Sequence, residues 1–518
     1  MLLNLGHADY ICSMFIRKNR NRSGSISIQI AQKMGRKNKI LKTIGIAHTQ
    51  REEQLLLIIA KNEMIKLQGL QSLFIEQDDV IVEAFVNGLY NEQLQIIGPQ
   101  LILGSVYHKI GLPTFDNDRY FIHLVISRLV YPGSKLKTIQ YLQRHHNIDV
   151  SIQTIYRYLD ELSSKRLDAI HKIIFSHTKE VLNGEIGVVF YDMTTLYFEA
   201  SEEDDIRKIG YSKDGKHQHP QIMLGLLVGQ NGYPIGYNIF QGNTSETKTL
   251  IPILESFQEK FDIVKPIVVA DCALLSDKNV QALDSQGYQY ILGGKIKNEA
   301  QLIKDEILSL DIQSKNPVEI QNKYGRLIIS YSEKRAKKDA FNRKRGLRRL
   351  EQKVKSGKLK KESINNRGYN KYLILQGDMN IKIDYAKFNA DHVWDGLKGY
   401  STNTELTSEQ VIKTYGNLWL IEKAFRVSKT DLKVRPIYHR IYNRIQAHIC
   451  ICFAAYAVYK ELERMLYLNK IEISPEKAIE LTKDMQQLTY YLPKSQLKRT
   501  KLLNLNESQK NLIEMIEK

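Results

Sequence analysis

The chain has 518 residues, with 75 Lys or Arg against 57 Asp or Glu, and its formal net charge is therefore +18. Hydrophobic residues make up 43% and charged residues 25%, which is ordinary for a globular protein with at least one large core. The four cysteines show neither zinc-site spacing nor a disulfide framework, and the longest apolar run, residues 449–459, is too short to span a bilayer. The basic excess favours a polyanionic partner, with nucleic acid ahead of an acidic membrane surface, although a generally basic surface is the simpler alternative.

The N-terminal third contains two kinds of pattern. Residues 1–47 are interpreted as a small β segment, because short strands between 14 and 47 are separated by Ser-Gly-Ser and by basic clusters. Residues 48–182 are predicted to be helical, with amphipathic stretches at 51–68, 117–130, 136–145 and 152–182. Two of these stretches match a helix–turn–helix in pattern, but a plain helical bundle fits them at least equally well.

The pattern changes after residue 183, where apolar strands alternate with helices. The turn Gln230-Asn231-Gly232 is a strong hairpin signal between two of the strands. The order β-β-β-α-β-α-β predicts an α/β core over residues 183–294, built on a mixed five-stranded sheet with flanking helices. The predicted strands are 186–192, 221–229, 233–240, 266–271 and 288–294, and the predicted helices are 245–261 and 276–287.

An insertion is predicted over residues 295–400, with strands at 326–332, 371–376 and 379–385. Its segment 334–361 holds 14 Lys or Arg and only two acids, so it carries 14 − 2 = +12 of the net charge. The few apolar residues recur at helical spacing, which predicts a basic helix that contacts a phosphate backbone rather than a membrane. The basic residues at the centre of this helix are Arg343, Lys344, Arg345, Arg348 and Arg349.

The core is predicted to resume over residues 401–465, followed by a C-terminal helical region over 466–518. One helix is expected to begin near Thr407 and to end before Pro436, which cannot continue it. Such a helix places an acid, an aromatic ring and basic side chains on one face, although faces of this kind are usually only solvated. The residues on this face are Tyr415, Glu422, Arg426, Lys429 and Lys433.

Two acids end predicted strands of the core, Asp192 after the first and Asp271 after the fourth. Because sites in open sheets are built at the carboxyl ends of strands, Asp192, Asp271 and Glu422 are predicted to hold two divalent cations, Mg²⁺ or Mn²⁺. A pair of such cations suits attack on a phosphodiester. Each aspartate taken alone is more simply explained as a cap on a turn or on the next helix.

The chain resembles bacterial insertion-sequence DDE transposases of the branch that carries a Tyr-x2-Arg-x3-Glu-x6-Lys signature. The matching segments are YDMTTLYFE, GYSKDGKHQHPQIMLGLLV, GNTSETKTL, VVADCALLS and KTDLKVRPIYHR, together with Tyr415, Glu422 and Lys429. The resemblance covers about residues 14–460. It suggests that residues 1–13 are an extension and that the chain starts at Met14.

This resemblance implies an RNase H-like catalytic core interrupted by an insertion, with Asp192, Asp271 and Glu422 as metal ligands. It also implies that Tyr415 and Lys429 touch the terminal DNA phosphates. The chain departs from the signature at one position, where Leu418 replaces the arginine. Arg426, one helical turn beyond Glu422, is the candidate substitute.

The function expected from these features is that of a cytoplasmic, nucleoid-associated DNA transposase. It would bind double-stranded DNA at inverted-repeat ends through residues 48–182, cut the strand, and join the end to target DNA as a homodimer. Two alternatives stay open at this point. Another RNase H-like nuclease, such as a junction resolvase, would share the three acids, and a catalytically inactive transposon-derived protein would only bind DNA.

Overall fold

The computed structural model divides the chain into two compact units, one of Met1–Ile96 with Met485–Asn504 and one of Ile97–Asp484 with Leu505–Lys518. Residues 1–13, the extension expected from the sequence, lie outside the described residues. The structure describes residues 14–35, 37–67, 77–112, 120–212, 215–261, 264–310, 316–357, 359, 364–365, 368–376, 380–492, 495 and 497–518.

A small antiparallel sheet opens the first unit. Its strands are β1 (Met14–Arg20), β2 (Ile26–Met34) and β3 (Lys37–Ala47), with β2 in the centre. The apolar residues of β2 alternate with polar ones, so one face of the sheet is apolar. Helix α1 (Gln50–Leu67) packs on that face. Helix α2 (Gln77–Asn87) and the short strand β4 (Leu94–Ile96) follow.

The second unit begins with helices. Ser134 and Ser151 each accept a backbone hydrogen bond at the start of a helix, as N-caps do. The stretch predicted as one helix over 152–182 is two helices, because the backbone at Arg166 (φ −127°) leaves the helical conformation. These helices are α3 (Gly98–Lys109), α4 (Phe121–Val130), α5 (Lys135–His146), α6 (Ile152–Lys165) and α7 (Leu167–Val181).

The central sheet follows in the order that the sequence predicts. At the predicted hairpin, Asn231 (φ 57°) and Gly232 (φ 77°) have the left-handed conformations that a tight turn requires. The elements are β5 (Val188–Tyr197), β6 (Gln221–Val228), β7 (Pro234–Gln241), α8 (Leu250–Phe261), β8 (Ile267–Ala270), α9 (Asp277–Ser285) and β9 (Tyr290–Gly294).

Within the insertion, a basic helix follows directly after a strand. Ser332 caps this helix by accepting a hydrogen bond from the backbone of Arg335. A second small core, with Leu350, Tyr372 and Phe388 buried, joins the helix to the hairpin and the short helix after it. The elements are α10 (Gln301–Ser309), β10 (Val318–Asn322), β11 (Gly325–Tyr331), α11 (Glu333–Lys355), β12 (Leu373–Gln376), β13 (Asn380–Ile383), α12 (Tyr385–Ala390) and β14 (Leu397–Thr402).

The central sheet has eight strands, not the five predicted. The order is β10-β11-β14-β9-β8-β5-β6-β7, with β5, β8 and β9 parallel and the other neighbours antiparallel. The five expected strands lie side by side at one end. The others were assigned to the insertion or missed, because the pairing of β14 with β9, which attaches them to the sheet, joins residues that are far apart in the sequence.

The helix predicted from Thr407 to Pro436 is also different in the structure. It consists of α13 (Ser408–Gly416), α14 (Trp419–Arg426) and one π-helical turn (Val427–Asp431), with a break at Asn417 and Leu418. Lys433 lies beyond the last turn and has a positive φ of 45°. The helix begins where it was expected, with Thr407 and Gln410 forming a capping box.

The long helix α15 (Tyr442–Leu468) contains the apolar run 449–459, which is buried. It contacts α3, α4, α6 and α7, so the helical region forms a bundle around it. No helix in the described part of the chain has both the length and the apolar character needed to cross a membrane. The chain ends with α16 (Pro475–Thr482), β15 (Gln486–Tyr491), β16 (Lys498–Leu502) and α17 (Glu507–Glu517), and β15 pairs with both β4 and β16.

Basic side chains are buried where α4 and α5 meet α15. Arg128, Lys135, His439 and His448 are each at most 8% exposed. Burial lowers the pKa of Lys135 to about 7, and the neighbouring Arg128 guanidinium contributes to the decrease. Burial and the charge of Lys135 also lower the pKa of His439, to about 3. These histidines are therefore neutral in the folded protein near pH 7.

Candidate active site

The first two acids emerge from neighbouring parallel strands. Tyr191 of β5 pairs with Ala270, the last residue of β8, and the next residue of each strand is an aspartate. Since neighbouring strands lie about 4.8 Å apart, Asp192 and Asp271 leave the sheet side by side. Asp192 was predicted to end its strand, but β5 continues beyond it to Tyr197. Strand β8 ends at Ala270, so Asp271 lies just beyond the end of the shorter of the two strands.

The third acid lies on the helix that covers the same face of the sheet. Asp192 pairs with Leu226 of β6, so their side chains share one face. Leu226 lines a small cavity together with Phe425 of α14, and α14 contacts β5. Glu422 is one helical turn before Phe425 and is exposed. The buried residues Ile421, Ala424 and Phe425 hold α14 against the sheet.

Asp271 also has the simpler role considered from sequence. Its Oδ1 accepts a hydrogen bond from the backbone N–H of Cys272 at 2.6 Å, so it caps the short 3₁₀ helix Cys272–Leu274. The side chain is exposed. This hydrogen bond holds one oxygen of the carboxylate, and the second oxygen and the remaining lone pairs can bind other ligands.

The donor set fits a hard divalent cation, because Asp192, Asp271 and Glu422 offer only carboxylate oxygens. Among the described residues, however, no three His, Cys, Asp or Glu side chains are gathered closely enough to hold a metal ion. The structure therefore brings Asp192 and Asp271 together on adjacent strands and sets the helix of Glu422 over the same face, without assembling a three-acid ligand group.

One known protein family matches the part of the chain that contains all three acids. The family model described as a transposase DDE domain matches residues 183–458, which is more than half of the chain and includes all three acids. The chain belongs to the family of DDE-domain transposases. No curated protein matches the chain.

Two solved structures are similar to parts of this DDE transposase chain. A cryo-EM structure of the piggyBac transposase synaptic complex with hairpin DNA is 8% identical, covers 75% of this chain and 79% of its own, and has a TM-score of 0.38. The Mos1 transposase paired-end complex with the left transposon end is 13% identical, covers 47% of this chain and 77% of its own, and has a TM-score of 0.16.

Within the DDE domain, Tyr415 is placed differently from the prediction. It is 5% exposed and belongs to α13, so the break before α14 separates it from the face that carries Glu422. Its ring lies 5.1 Å from that of Tyr400 in an edge-on arrangement. Burial raises the pKa of its hydroxyl, and the Asp271 carboxylate contributes to the increase. In this structure Tyr415 packs beside the Asp271 turn.

The predicted basic partners of Glu422 are distributed over two segments of the DDE domain. Arg426 is exposed at the end of α14, where its carbonyl accepts a hydrogen bond from Thr430 at 2.5 Å. Lys429 lies in the π-helical turn. Lys433 is exposed, but it lies outside the helix and not on the predicted stripe. Leu418 immediately precedes α14.

Of the five predicted DNA-binding residues in α11, one has an internal role. The side chain of Arg343 is 15% exposed, pairs with Asp395, and lies 5.2 Å over the ring of Phe388. The charge of Arg343 is therefore paired within the insertion, where it holds α11 against Asp395 and Phe388. The other four, Lys344, Arg345, Arg348 and Arg349, are exposed and available to a phosphate backbone.

Lys398 is the site residue that sequence reasoning missed. It lies on β14, and its Nζ is 4.2 Å from the ring centroid of Tyr415. Burial and the charge of Arg335 lower the pKa of Lys398, while the Asp271 and Glu422 carboxylates oppose the decrease. Lys398 and Arg335 line a cleft of about 600 Å³ beside the end of β9. In the sequence, Lys398 lies in a segment that resembles a loop, so no pattern distinguished it from other lysines.

Proposed function

We propose that this chain is a transposase that cuts and joins the phosphodiesters at the ends of its own DNA element. Asp192, Asp271 and Glu422 would hold two divalent cations, Mg²⁺ or Mn²⁺, which activate the attacking oxygen and stabilise the leaving oxygen. The observation that carries the proposal is the placement of Asp192 on β5 beside Asp271, which directly follows the neighbouring parallel strand β8, with α14 packed on β5. Membership of the DDE transposase family supports it.

The sheet also supports an RNase H-like core. Strands β5, β6 and β7 form an antiparallel meander, and β8 and β9 continue in parallel on the other side of β5. We assign the chain to the Tyr-x2-Arg-x3-Glu-x6-Lys branch, with Leu418 as its departure. Arg426 is the proposed replacement for the signature arginine, because it follows Glu422 by one turn and is exposed.

The residues around the acids have distinct proposed tasks. In phosphoryl transfer the protein contributes mainly by positioning the DNA backbone and by stabilising the charge that develops there. Lys429 and Arg426 would hold the terminal phosphates, while the exposed cations of α11 hold the flanking DNA. Because pairing of two ends requires two copies of each site, we expect a homodimer on DNA.

The test uses the full chain, Mg²⁺ or Mn²⁺, and a duplex taken from the DNA that flanks the reading frame. We expect cleavage at the end of the element and joining of the released 3′ end to a second DNA. Asp192→Asn, Asp271→Asn and Glu422→Gln should each abolish both steps while DNA binding persists. Asp277→Asn is the matched control, since Asp277 lies near Asp271 in sequence but pairs with Lys323.

Three results would contradict the proposal. Cleavage without joining would favour another nuclease, and binding without cleavage would favour an inactive DNA-binding protein. Equal activity in Asp192→Asn and in the wild type would remove the acids from the mechanism.

A further inference from the structure

The three-stranded sheet of the first unit has two different faces. On one face Ile28 and Ile30 pack against Ala60 of α1. Two ion pairs lie on the same side, Lys18 with Glu53 at 2.7 Å and Lys42 with Glu63 at 3.1 Å. This face is therefore occupied by α1, and its basic side chains are neutralised by the acids of that helix.

The opposite face presents a different set of side chains. Side chains paired across neighbouring strands point to the same side, so the paired residues identify this face, and the pairing of β2 with β3 is irregular next to Gln29 and Ala31. Most of the outer-strand members, including Arg17, Asn19 and Thr43, are exposed, and Gln29 is half-buried between them. The cross-strand rows are Phe15 with Ala31 and Ile40, Arg17 with Gln29 and Thr43, and Asn19 with Ser27 and Ile46.

The charged residues of the N-terminal sheet and its turns are all basic. Residues 14–47 contain nine Lys or Arg and no Asp or Glu. Basic residues cluster at both ends of the sheet, near the turn between β1 and β2 and near the turn between β2 and β3. The exposed ones at these ends are Arg20, Arg22, Lys33, Lys37 and Lys39.

We propose that this outer face reads double-stranded DNA through the major groove, and the inference rests on the proposed function. Three strands about 4.8 Å apart span roughly 10 Å, which fits a groove about 12 Å wide. Arginine pairs with guanine edges, and glutamine or asparagine pairs with adenine edges. Arg17, Gln29 and Asn19 therefore contact bases. Arg22 in the turn between β1 and β2 and Lys33 at the opposite end of the same face contact the phosphates on either side.

In this proposal the N-terminal sheet recognises the DNA sequence, whereas the amino-acid sequence alone predicted DNA-end binding by residues 48–182 and no role for this sheet. A sheet inserted into the groove differs from helix–turn–helix recognition by residues 48–182, because its specificity comes from alternate residues of strands. The recessed small side chains Ser27 and Ala31 leave Gln29 as the central contact of the middle strand.

The experiment selects duplexes from a pool with a randomised central segment, using the full-length protein, and then compares affinities for the selected and a scrambled duplex. We expect the wild type to enrich one motif. Arg17→Ala and Gln29→Ala should each reduce the preference for that motif by about 5- to 150-fold, the loss expected for one bidentate base contact. Arg17→Lys should keep the affinity for scrambled DNA and still lose preference, because lysine lacks the forked geometry.

Lys18→Ala is the matched control, since it removes one charge from the same strand on the face covered by α1. It should keep the wild-type preference, and equal thermal unfolding of all four variants shows that the fold is intact. Enrichment of no motif, or unchanged preference in Arg17→Ala and Gln29→Ala, would overturn the assignment. Metal-dependent cleavage that is lost in Asp192→Asn would in either case leave the proposed function standing, so the two failures are distinguishable.

Discussion

Tyr191 and Ala270 pair across the parallel strands β5 and β8, and the residue after each of them is an acid. Because β8 ends at this pair while β5 continues, the two carboxylates emerge at a step in the sheet. At this step the two acids lie on neighbouring parallel backbones.

Removing one acid of the pair should weaken binding of a divalent cation. We expect Mn²⁺ binding, measured by titration calorimetry, to fall at least tenfold in Asp271→Asn, since loss of a partner in the outer shell alone costs about 10–100-fold. Asp277→Asn removes an acid of the same segment and should bind Mn²⁺ as the wild type does. Equal weakening in both variants would indicate a general charge effect.

Lys398 should oppose cation binding at this site. Its ammonium interacts with the carboxylates of Asp271 and Glu422 and therefore competes with a metal for the same charges. Lys398→Met keeps the length of the side chain and should increase Mn²⁺ affinity by about three- to tenfold, as expected for a loss of about 1 kcal/mol of repulsion. Lys398→Arg keeps the charge and should bind as weakly as the wild type.

Gly293 permits the close packing behind Asp271. A Cβ at this position would lie 2.6 Å from the Tyr415 hydroxyl and 2.9 Å from the backbone nitrogen of Cys272. Gly293→Ala should therefore destabilise the fold by about 1–3 kcal/mol, the cost of overpacking, as measured by urea unfolding.

A second glycine provides the control for this measurement. Gly416 lies in α13, and a Cβ there would meet nothing within 4 Å. Gly416→Ala should be neutral or stabilise by up to about 1 kcal/mol. A neutral Gly293→Ala would mean that Tyr415 is not held against the Asp271 turn.

Arg343 and Arg345 should behave oppositely although both lie in the basic helix. Arg343→Ala leaves Asp395 without its partner, and we expect a loss of about 1–3 kcal/mol in the free energy of unfolding. Arg345→Ala should change stability by less than about 0.5 kcal/mol but weaken DNA binding in a salt-dependent manner. Thermal unfolding and fluorescence anisotropy at two salt concentrations would separate the two effects.

Stability should decrease when the pH falls below about 6.5. Burial and neighbouring charges lower the pKa of His439 to about 3 and that of His171 to about 4. Between these values and the unfolded pKa of about 6.5, only the unfolded chain takes up the protons, so each histidine costs about 1.4 kcal/mol per pH unit. Denaturant unfolding from pH 7 to pH 5 measures this slope. His439→Asn should reduce it, and an unchanged slope would contradict the assignment.

The strand order of the core could be predicted because each strand is a short apolar run with turn signals, and Asn231 with Gly232 identifies the hairpin. The acids followed from their positions after such runs. The break at Asn417 and Leu418 could not be predicted, since apolar spacing continues across it. Only the fold shows that α13 and α14 are separate helices.

Two other features depend on contacts between distant residues. Arg343 is indistinguishable in sequence from the neighbouring arginines, and its partner Asp395 is 52 residues away. Strand β14 contains a lysine and a glycine and resembles a loop in the sequence. It becomes a strand because its backbone pairs with β9 and β11.

The insertion is anchored to the central sheet by main-chain hydrogen bonds, because β10, β11 and β14 extend that sheet and α11 starts directly after β11. A hinged lid would be joined to the core by loops alone. Here the basic helix is coupled mechanically to the strands that carry the acids. A force exerted on α11, the proposed DNA-binding helix, would thus reach the strand beside Asp271 through the hydrogen bonds that join β11, β14 and β9.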